Sequence, residues 1–381
     1  MNSVKKTILI DADKVIDGWS GGLHYVANFV FLMSQNQYIR DNYNVVVYCR
    51  SNQKELLQDL LSEDNLYVSH FKRGVLRRIE KALLCLTRNI KIIYWGSFNL
   101  SIGTHMISWI PDFQHRHFPL YFNKKDARKR DFFYSSIAHN SRRRIVLSSE
   151  SCLDDFRRFY EPIKCKPYIV SFVSNIERII RNLDKNREVS ILAENGISND
   201  KYVCIMNQFW QHKNHKVVFD AIINFYTKYP DSNLKFVFTG IMEDYRNPEY
   251  IQSLKTVAND PMVAPHIKML GYISKEEQIA IMKNAEFIIQ PSLFEGWGTV
   301  VEEAKVLDKT ILLSDIPVHR EQKSDKCILF DPHDASALAK LIYDESMASH
   351  NDDIEKGIAD MYIRAEAYSK NFERLIRDLE K

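Results

Sequence analysis

The chain has 381 residues, enough for two domains and too long for a single small module. Hydrophobic residues make up 45% and aromatics 12%, which supplies apolar surface for sizeable cores and excludes a largely disordered chain. The net charge of +3 hides an asymmetry: residues 1–184 carry 28 basic and 18 acidic side chains, giving +10, whereas residues 185–381 carry 24 and 31, giving −7. A basic part of this kind suits phosphate, nucleic acid or an anionic membrane surface. Its basic residues gather in Lys72–Lys81, Lys124–Arg130 and Arg142–Arg144, each of which also reads as a solvated helix face.

The six cysteines form no CxxC pair, so neither a zinc site nor a disulfide framework is indicated, and reduced, mostly buried thiols are expected. The opening MNSVKKTILIDAD lacks the apolar core and cleavage site of a signal peptide, and no stretch reaches the length of a membrane span. A cytoplasmic protein is expected. Glycine is scarce at 12 residues, and five of these fall in the clusters Gly18/Gly21/Gly22 and Gly296/Gly298.

Short β-rich apolar runs alternate with longer amphipathic stretches, the pattern of parallel sheets covered by helices. TILIDA leads through a glycine turn to a helix from about Leu23 to Met33. Further strands are predicted at Val45–Cys49, Ile90–Trp95, Met106–Ile110, Arg144–Ser149 and Tyr168–Val173. Residues 1–174 thus make one Rossmann-like domain. Residues 175–199 are polar and end in a glycine turn, as a linker with a short helix would. A second series follows, with strands in KYVCIMN (201–207), LKFVFTG (234–240), HIKMLGY (266–272), AEFIIQPS (285–292), TILLSD (310–315) and CILF (327–330). Residues 200–353 form a second doubly wound domain, and 354–381 a charged amphipathic helix expected to pack across both.

Such sheets bind ligands at the carboxyl ends of their strands, which directs attention to Gln290–Ala304, QPSLFEGWGTVVEEA. Gly296 and Gly298 permit close backbone approach, and the helix starting near Gly298 or Thr299 offers free N–H groups to an anion such as phosphate. Glu295 precedes that helix and Glu303 lies in its second turn. Carboxylates beside a phosphate site suit the sugar hydroxyls of a nucleotide sugar; the plainer reading is turn glycines and ordinary helix acids. Asp11–Ala12–Asp13 reads as a strand end, not a metal site, and the 17–22 loop lacks the spacing of a dinucleotide fingerprint.

On these residues the chain resembles the retaining, nucleotide-sugar-dependent glycosyltransferases of the GT-B fold, the large family that includes sucrose synthase and many bacterial polysaccharide and lipopolysaccharide enzymes. The family signature is two glutamates separated by seven residues, matched by Glu295 and Glu303. The resemblance covers most of the second half, including NQFWQHKNHKVVFDAI (207–222) and SDIPVHRE (314–321), and is looser in the first, at Gly21–Gly22, ISWIPDFQHRHFP (107–119) and SSESCLDDF (148–156). It implies two Rossmann-like α/β domains facing across a cleft, with the last helix crossing back. Glu303 would hold the nucleotide ribose and Glu295 the donor sugar hydroxyls. Gly298, Thr299 and Val300, with Gly296 beside them, would bind the diphosphate, and Lys213 would neutralise it as it departs. The base would sit near Gly271, Tyr272 and Ile273. Gly240 follows another donor-domain strand, and Gly21 and Gly22 match a first-domain loop that closes over the donor.

Two departures stand out. Asn207 and His212 occupy positions where arginines are common, which shifts more charge stabilisation to Lys213 and the helix start. In the first domain Pro111–Asp112 replaces a His-Asp pair, keeping Asp112 as a catalytic candidate and leaving His115 or His117 to take the histidine's place. The implied activity is transfer of a sugar from a nucleotide diphosphate sugar to a glycan or lipid-linked acceptor, without a metal and without nucleic acid, with possible peripheral contact at an anionic membrane. A non-hydrolysing nucleotide-sugar epimerase on the same fold is the alternative.

Overall fold

A computed structural model describes residues 5–15, 20–61, 65–71, 75–95, 103–198, 200–244 and 246–381. Gly18, Gly74, Gly96 and Lys72–Arg73 of the first basic cluster lie outside them. The chain divides into two compact units: residues 1–116, 124–173 and 362–381, and residues 117–123 and 174–361.

The first unit is built on seven parallel strands: β1 (Lys6–Asp11), β2 (Tyr43–Cys49), β3 (Leu66–Val68), β4 (Ile90–Tyr94), β5 (His105–Ile110), β6 (Arg144–Leu147) and β7 (Lys166–Ile169). They lie in the order β3-β2-β1-β4-β5-β6-β7. Ile8, Ile10, Val47 and Tyr94 are fully buried, as strands covered by helices on both faces require. β3 was not foreseen; three half-buried residues at a sheet edge leave no periodic signal. Aromatic rings weld the first helix, Ser20–Ser34, to this sheet: Phe29 stacks on Tyr94 at 4.2 Å and Tyr25 on Trp109 at 3.6 Å. Gly21 and Gly22 lie in the first turn of that helix and not in a loop, a correction to the reading of the glycine cluster.

The second unit holds six parallel strands: β8 (Tyr202–Met206), β9 (Lys235–Thr239), β10 (Ile267–Met269), β11 (Ile288–Gln290), β12 (Ile311–Ser314) and β13 (Cys327–Phe330). Their order is β10-β9-β8-β11-β12-β13. β8 and β11 are neighbours whose chain connections leave in opposite directions, so a crevice opens at their carboxyl ends. The helix His215–Lys228 buries Val218, Ala221, Ile222 and Phe225 at helical spacing against this sheet.

Residues 175–199 differ from a linker. They carry the helices Glu177–Asn182 and Lys185–Glu194, and the latter is tied to the helix Lys275–Asn284 by Lys283–Glu188 and by Arg187–Glu276 at 3.1 Å. The last helix, Ile354–Leu379, is shared between the units along its length. Its first turns belong to the second unit, where Gly357 sits within the helix because a Cβ there would meet the Val306 carbonyl oxygen at 2.3 Å. From Tyr362 onward it completes the first unit, with Phe372 edge-on to Phe29 and Tyr94. None of the six cysteines, all among the described residues, is in a disulfide, and Cys327 alone of them is not fully buried.

Candidate active site

The crevice between β8 and β11 is lined by the two loops that leave those strands, residues 207–214 and 290–298. Backbone and side-chain ties fasten the loops together. Leu293 N–H donates to the His212 carbonyl at 2.8 Å, and Asn214 Nδ2 donates to the carbonyls of Pro291 at 3.1 Å and Pro332 at 2.8 Å. Asn214 holds a left-handed conformation (φ 56°) that asparagine tolerates, ending the 3-10 turn Gln211–Lys213 and starting the helix behind it.

This framework brings Lys213 onto Glu295, Nζ to Oε1 at 2.5 Å, although 82 residues separate them in the chain. Both are largely buried, with side chains 16% and 10% exposed. The same Glu295 oxygen accepts from Ser292 Oγ at 2.7 Å and Gln290 Nε2 at 3.2 Å. Gln290 in turn pairs with Asn207, whose Nδ2 donates to Gln290 Oε1 at 2.8 Å. Burial pushes the Glu295 carboxyl up, but the Lys213 charge and hydrogen bond and the His212 and His319 rings around it more than offset this, and it ionises below the ordinary carboxylate range.

Three buried histidines surround the pair. Burial, aided by the Lys213 charge, drives His212 and His215 down to about 3, and burial drives His319 down to about 4. They are neutral at pH 7, so these rings add no positive charge to that of Lys213. His319 Nδ1 donates to the Ser314 carbonyl at 2.9 Å, which makes Nε2 an acceptor; that atom is buried without a hydrogen-bond partner. Neither His319 nor Ser292 was singled out from sequence, because neither carries a spacing signal of its own. Arg246 approaches the same loop over the Trp210 ring, 5.0 Å from its centroid, with its guanidinium held at 2.8 and 3.0 Å by Asp244.

Glu303 is placed apart from Glu295 in its contacts. It is fully buried, bound by Lys275, by Gln278 Nε2 at 2.8 Å and by Ser174 Oγ at 3.3 Å. Lys275 and Gln278 reach it from one helix face because Ser274 and Glu277 form a capping box that starts that helix just before them. Glu302 pairs with Lys305 at 2.8 Å and accepts from Gln322 at 3.1 Å.

The helix Thr299–Val306 begins at the crevice with no side-chain cap, so its first N–H groups have no intrahelical partner. Gly298 N–H is the exception: it donates to Gln322 Oε1 at 2.8 Å, while Gln322 Nε2 donates back to the Gly298 carbonyl at 3.0 Å. Of the expected phosphate donors, Thr299 and Val300 stay open and Gly298 is spoken for. Gly240 has a structural reason to be glycine: at φ +101° a Cβ would lie 2.3 Å from the Asn207 carbonyl oxygen. Its N–H donates to the Gly271 carbonyl at 2.7 Å, and Gly271 (φ +68°) turns the chain toward Ile273 and the exposed Tyr272.

Among the first-domain candidates, Asp112 accepts from Gln114 N–H at 3.0 Å and stabilises its own turn. His115 is buried, within 3.1 Å of Asp131 and 3.2 Å of the Tyr160 hydroxyl. His117 belongs to the second unit and packs on Phe294, the neighbour of Glu295, with ring centroids 4.7 Å apart. Asp11 and Asp13 are bound by cations: Lys81 reaches Asp11 at 2.7 Å and Asp13 at 3.2 Å, and Arg77 and Arg50 also pair with Asp13. Among the described residues, no group of three or more metal-ligating side chains is assembled.

Residues 188–346 match the family described as glycosyl transferases group 1. A curated relative, D-inositol 3-phosphate glycosyltransferase of Corynebacterium jeikeium, is 21% identical over 211 residues, which is 53% of this chain and 50% of the relative. The chain thus spans about half the length of that relative in the match. Solved structures of similar fold include a glycosyltransferase from Rickettsia africae (TM-score 0.66, 15% identity, 96% of this chain and 94% of that one). Others are Anabaena HepE in complex with UDP and glucose (0.65, 14%, 98% and 99%) and a sucrose-phosphate synthase from Thermosynechococcus elongatus (0.68, 13%, 98% and 99%). The two parallel-sheet, Rossmann-like units are the GT-B fold of these glycosyltransferases, and the segment that holds Lys213, Glu295 and Glu303 is the one that matches glycosyl transferases group 1.

Proposed function

We propose that this protein is a retaining glycosyltransferase that moves a sugar from a nucleoside diphosphate sugar to a hydroxyl acceptor. The observation that carries this reading is the buried Lys213–Glu295 pair at the carboxyl ends of β8 and β11, beside the uncapped start of the helix Thr299–Val306. In the proposal the diphosphate takes Lys213 and the N–H groups of Thr299 and Val300. Glu295 keeps its bonds to Ser292 and Gln290 and turns its freed acceptor capacity to the sugar hydroxyls. Glu303 has two oxygens held by Lys275, Gln278 and Ser174 and retains lone pairs for the ribose. The base lies against Gly271–Ile273, with Asn207 and Gly240 shaping the floor.

As the anomeric bond breaks, the sugar gains positive and the diphosphate negative charge. A cation and helix dipoles fixed in advance at the leaving group supply the stabilisation, as preorganised electrostatics do elsewhere. Attack on the same face, assisted by the leaving phosphate, would retain configuration. The engagement of Asp11 and Asp13 by Lys81, Arg77 and Arg50 supports a route in which Lys213, not a metal, carries the counter-charge. The packing of His117 on Phe294 supports His117 over His115 as the histidine near the reacting sugar, with Asp112 positioning the turn before it. The acceptor is a glycan or lipid-linked sugar of a bacterial surface polysaccharide or lipopolysaccharide, met at the cytoplasmic face of an anionic membrane.

The HepE and trehalose-6-phosphate relatives are described with UDP or UDP-sugar ligands, which makes UDP-sugars the first donors to try. A thermal-shift panel of UDP-, GDP- and dTDP-sugars is expected to raise the melting temperature for one base class. With that donor, Lys213→Ala or Glu295→Ala is expected to lose about 100-fold or more in transfer rate. Full transfer by either variant overturns the site, and conversion of donor alone into a new nucleotide sugar would point to the epimerase instead. Undiminished affinity of Glu303→Ala for the free nucleoside diphosphate would remove its ribose role.

A further inference from the structure

The helix Val75–Thr87 of the first unit is apolar outward as well as inward, where Leu84 and Cys85 join the core. Its inward side carries Glu80, bonded to Tyr48 at 2.6 Å and Ser69 at 2.7 Å, and Lys81, bonded to Asp11. Its outward side is aliphatic: Val75, Leu76, Ile79, Leu83 and Leu86 are 68%, 53%, 49%, 55% and 76% exposed. At spacings of three and four residues these five form one continuous stripe. A groove of about 220 Å³ runs alongside, between Tyr67 and Leu83, with the exposed Phe71 at its rim. A monomeric surface seldom leaves such a stripe in water, and a helix with a continuous aliphatic outer side has its partner on the outside.

We propose that this helix docks the protein on an anionic membrane surface, lying in the interface with its aliphatic stripe among the lipid chains. Charge decides for a bilayer over a second copy of the chain. The one acid on the helix is the buried Glu80, while Arg78 and Arg88 are exposed at its flanks and Lys72 and Arg73 precede it in the sequence. The same unit presents the helix Lys124–Ala138, with Lys124, Lys125, Arg128 and Lys129 exposed and Phe132 standing 79% in solvent. Two copies placed stripe to stripe would bring like charges together, whereas headgroups of negative charge meet them. The inference deepens the membrane contact proposed above by naming the element that makes it, and it needs neither donor nor acceptor to be known.

The test is co-sedimentation of the full chain with vesicles of phosphatidylcholine alone or with about 30% phosphatidylglycerol. The protein is expected to bind the anionic vesicles preferentially, and the triple variant Leu76→Ser/Leu83→Ser/Leu86→Ser to bind them about tenfold or more weakly. These side chains are already in solvent, so the variant is expected to keep its melting temperature and its donor affinity. A label of environment-sensitive fluorescence on Leu83→Cys is expected to shift to the blue with anionic vesicles. Equal binding by the parent and triple variant would overturn the role of the helix while leaving membrane contact standing; no vesicle binding by the parent would overturn both. A parent dimer that the triple variant converts to monomer would assign the stripe to a second copy and overturn the proposal.

Discussion

Each unit places ionised groups just past the first strand of its sheet, and the two arrangements differ in saturation. After β1, two carboxylates, Asp11 and Asp13, are held by three cations, Lys81, Arg77 and Arg50, supplied by elements around the strand end. After β8, Lys213 faces Glu295 among neutral histidines, serine and amide. The first set is internally satisfied and reads as structure. The second is a pair whose lysine has a single partner to leave, with an uncapped helix start beside it. The same topology thus yields a strut in one unit and, in our proposal, a ligand site in the other, according to how many counter-charges the surrounding helices contribute.

The comparison breaks most sharply at the lysines. Lys213→Met leaves Glu295 buried beside neutral groups and is expected to cost about 3–5 kcal/mol, read as a lowered urea midpoint. Lys81→Met leaves Asp13 with two arginines but takes the ammonium from the buried Asp11, so a comparable loss of about 3–5 kcal/mol is expected, with nucleoside diphosphate binding by calorimetry unchanged. If Lys81→Met abolished that binding, the division into strut and site would be wrong.

Acid sharpens the contrast. His212, His215 and His319 titrate in the folded chain at about 3, 3 and 4, below their ordinary 6.5, so the unfolded chain binds protons first as pH falls. Stability from these rings is complete above about pH 6.5 and is lost progressively below it, by up to about 1.4 kcal/mol per pH unit for each. The first unit holds His115, which burial also lowers. Hydrogen exchange between pH 6.5 and 4.5, above the range where most paired carboxylates protonate, is therefore expected to show the second unit opening first. The smallest effect is at Asn214. Asn214→Ala removes two side-chain bonds and strains a left-handed residue, an expected loss of about 1–2 kcal/mol in stability together with weaker donor binding.

What the sequence made legible follows from periodicity and from local motif. Strands such as Tyr202–Met206 and Ile311–Ser314 are buried apolar runs bounded by polar turns, and they lie where such runs predict. The half-buried edge strand Leu66–Val68 and the helices of 175–199 carry no such run, and what orders them is long-range contact. At the site, Lys213 and Glu295 were nominated by resemblance, each on its own loop. The contacts that tune them come from Ser292, Gln290, Asn214 and His319, residue types common in any loop. Lys275 and Gln278 reach Glu303 from a helix more than twenty residues upstream, and only the folded backbone reveals that reach.

The division of the first unit along the chain also sets an order of events at the ribosome. Its closing piece, in which Phe372 packs on Phe29 and Tyr94 and Asp378 meets Tyr168, is encoded after the whole second unit. At ordinary elongation speeds the nascent first unit waits roughly ten to forty seconds between Val173 and Tyr362 with its aromatic floor uncovered. Ribosome-bound chains halted before Tyr362 should therefore recruit holdase chaperones.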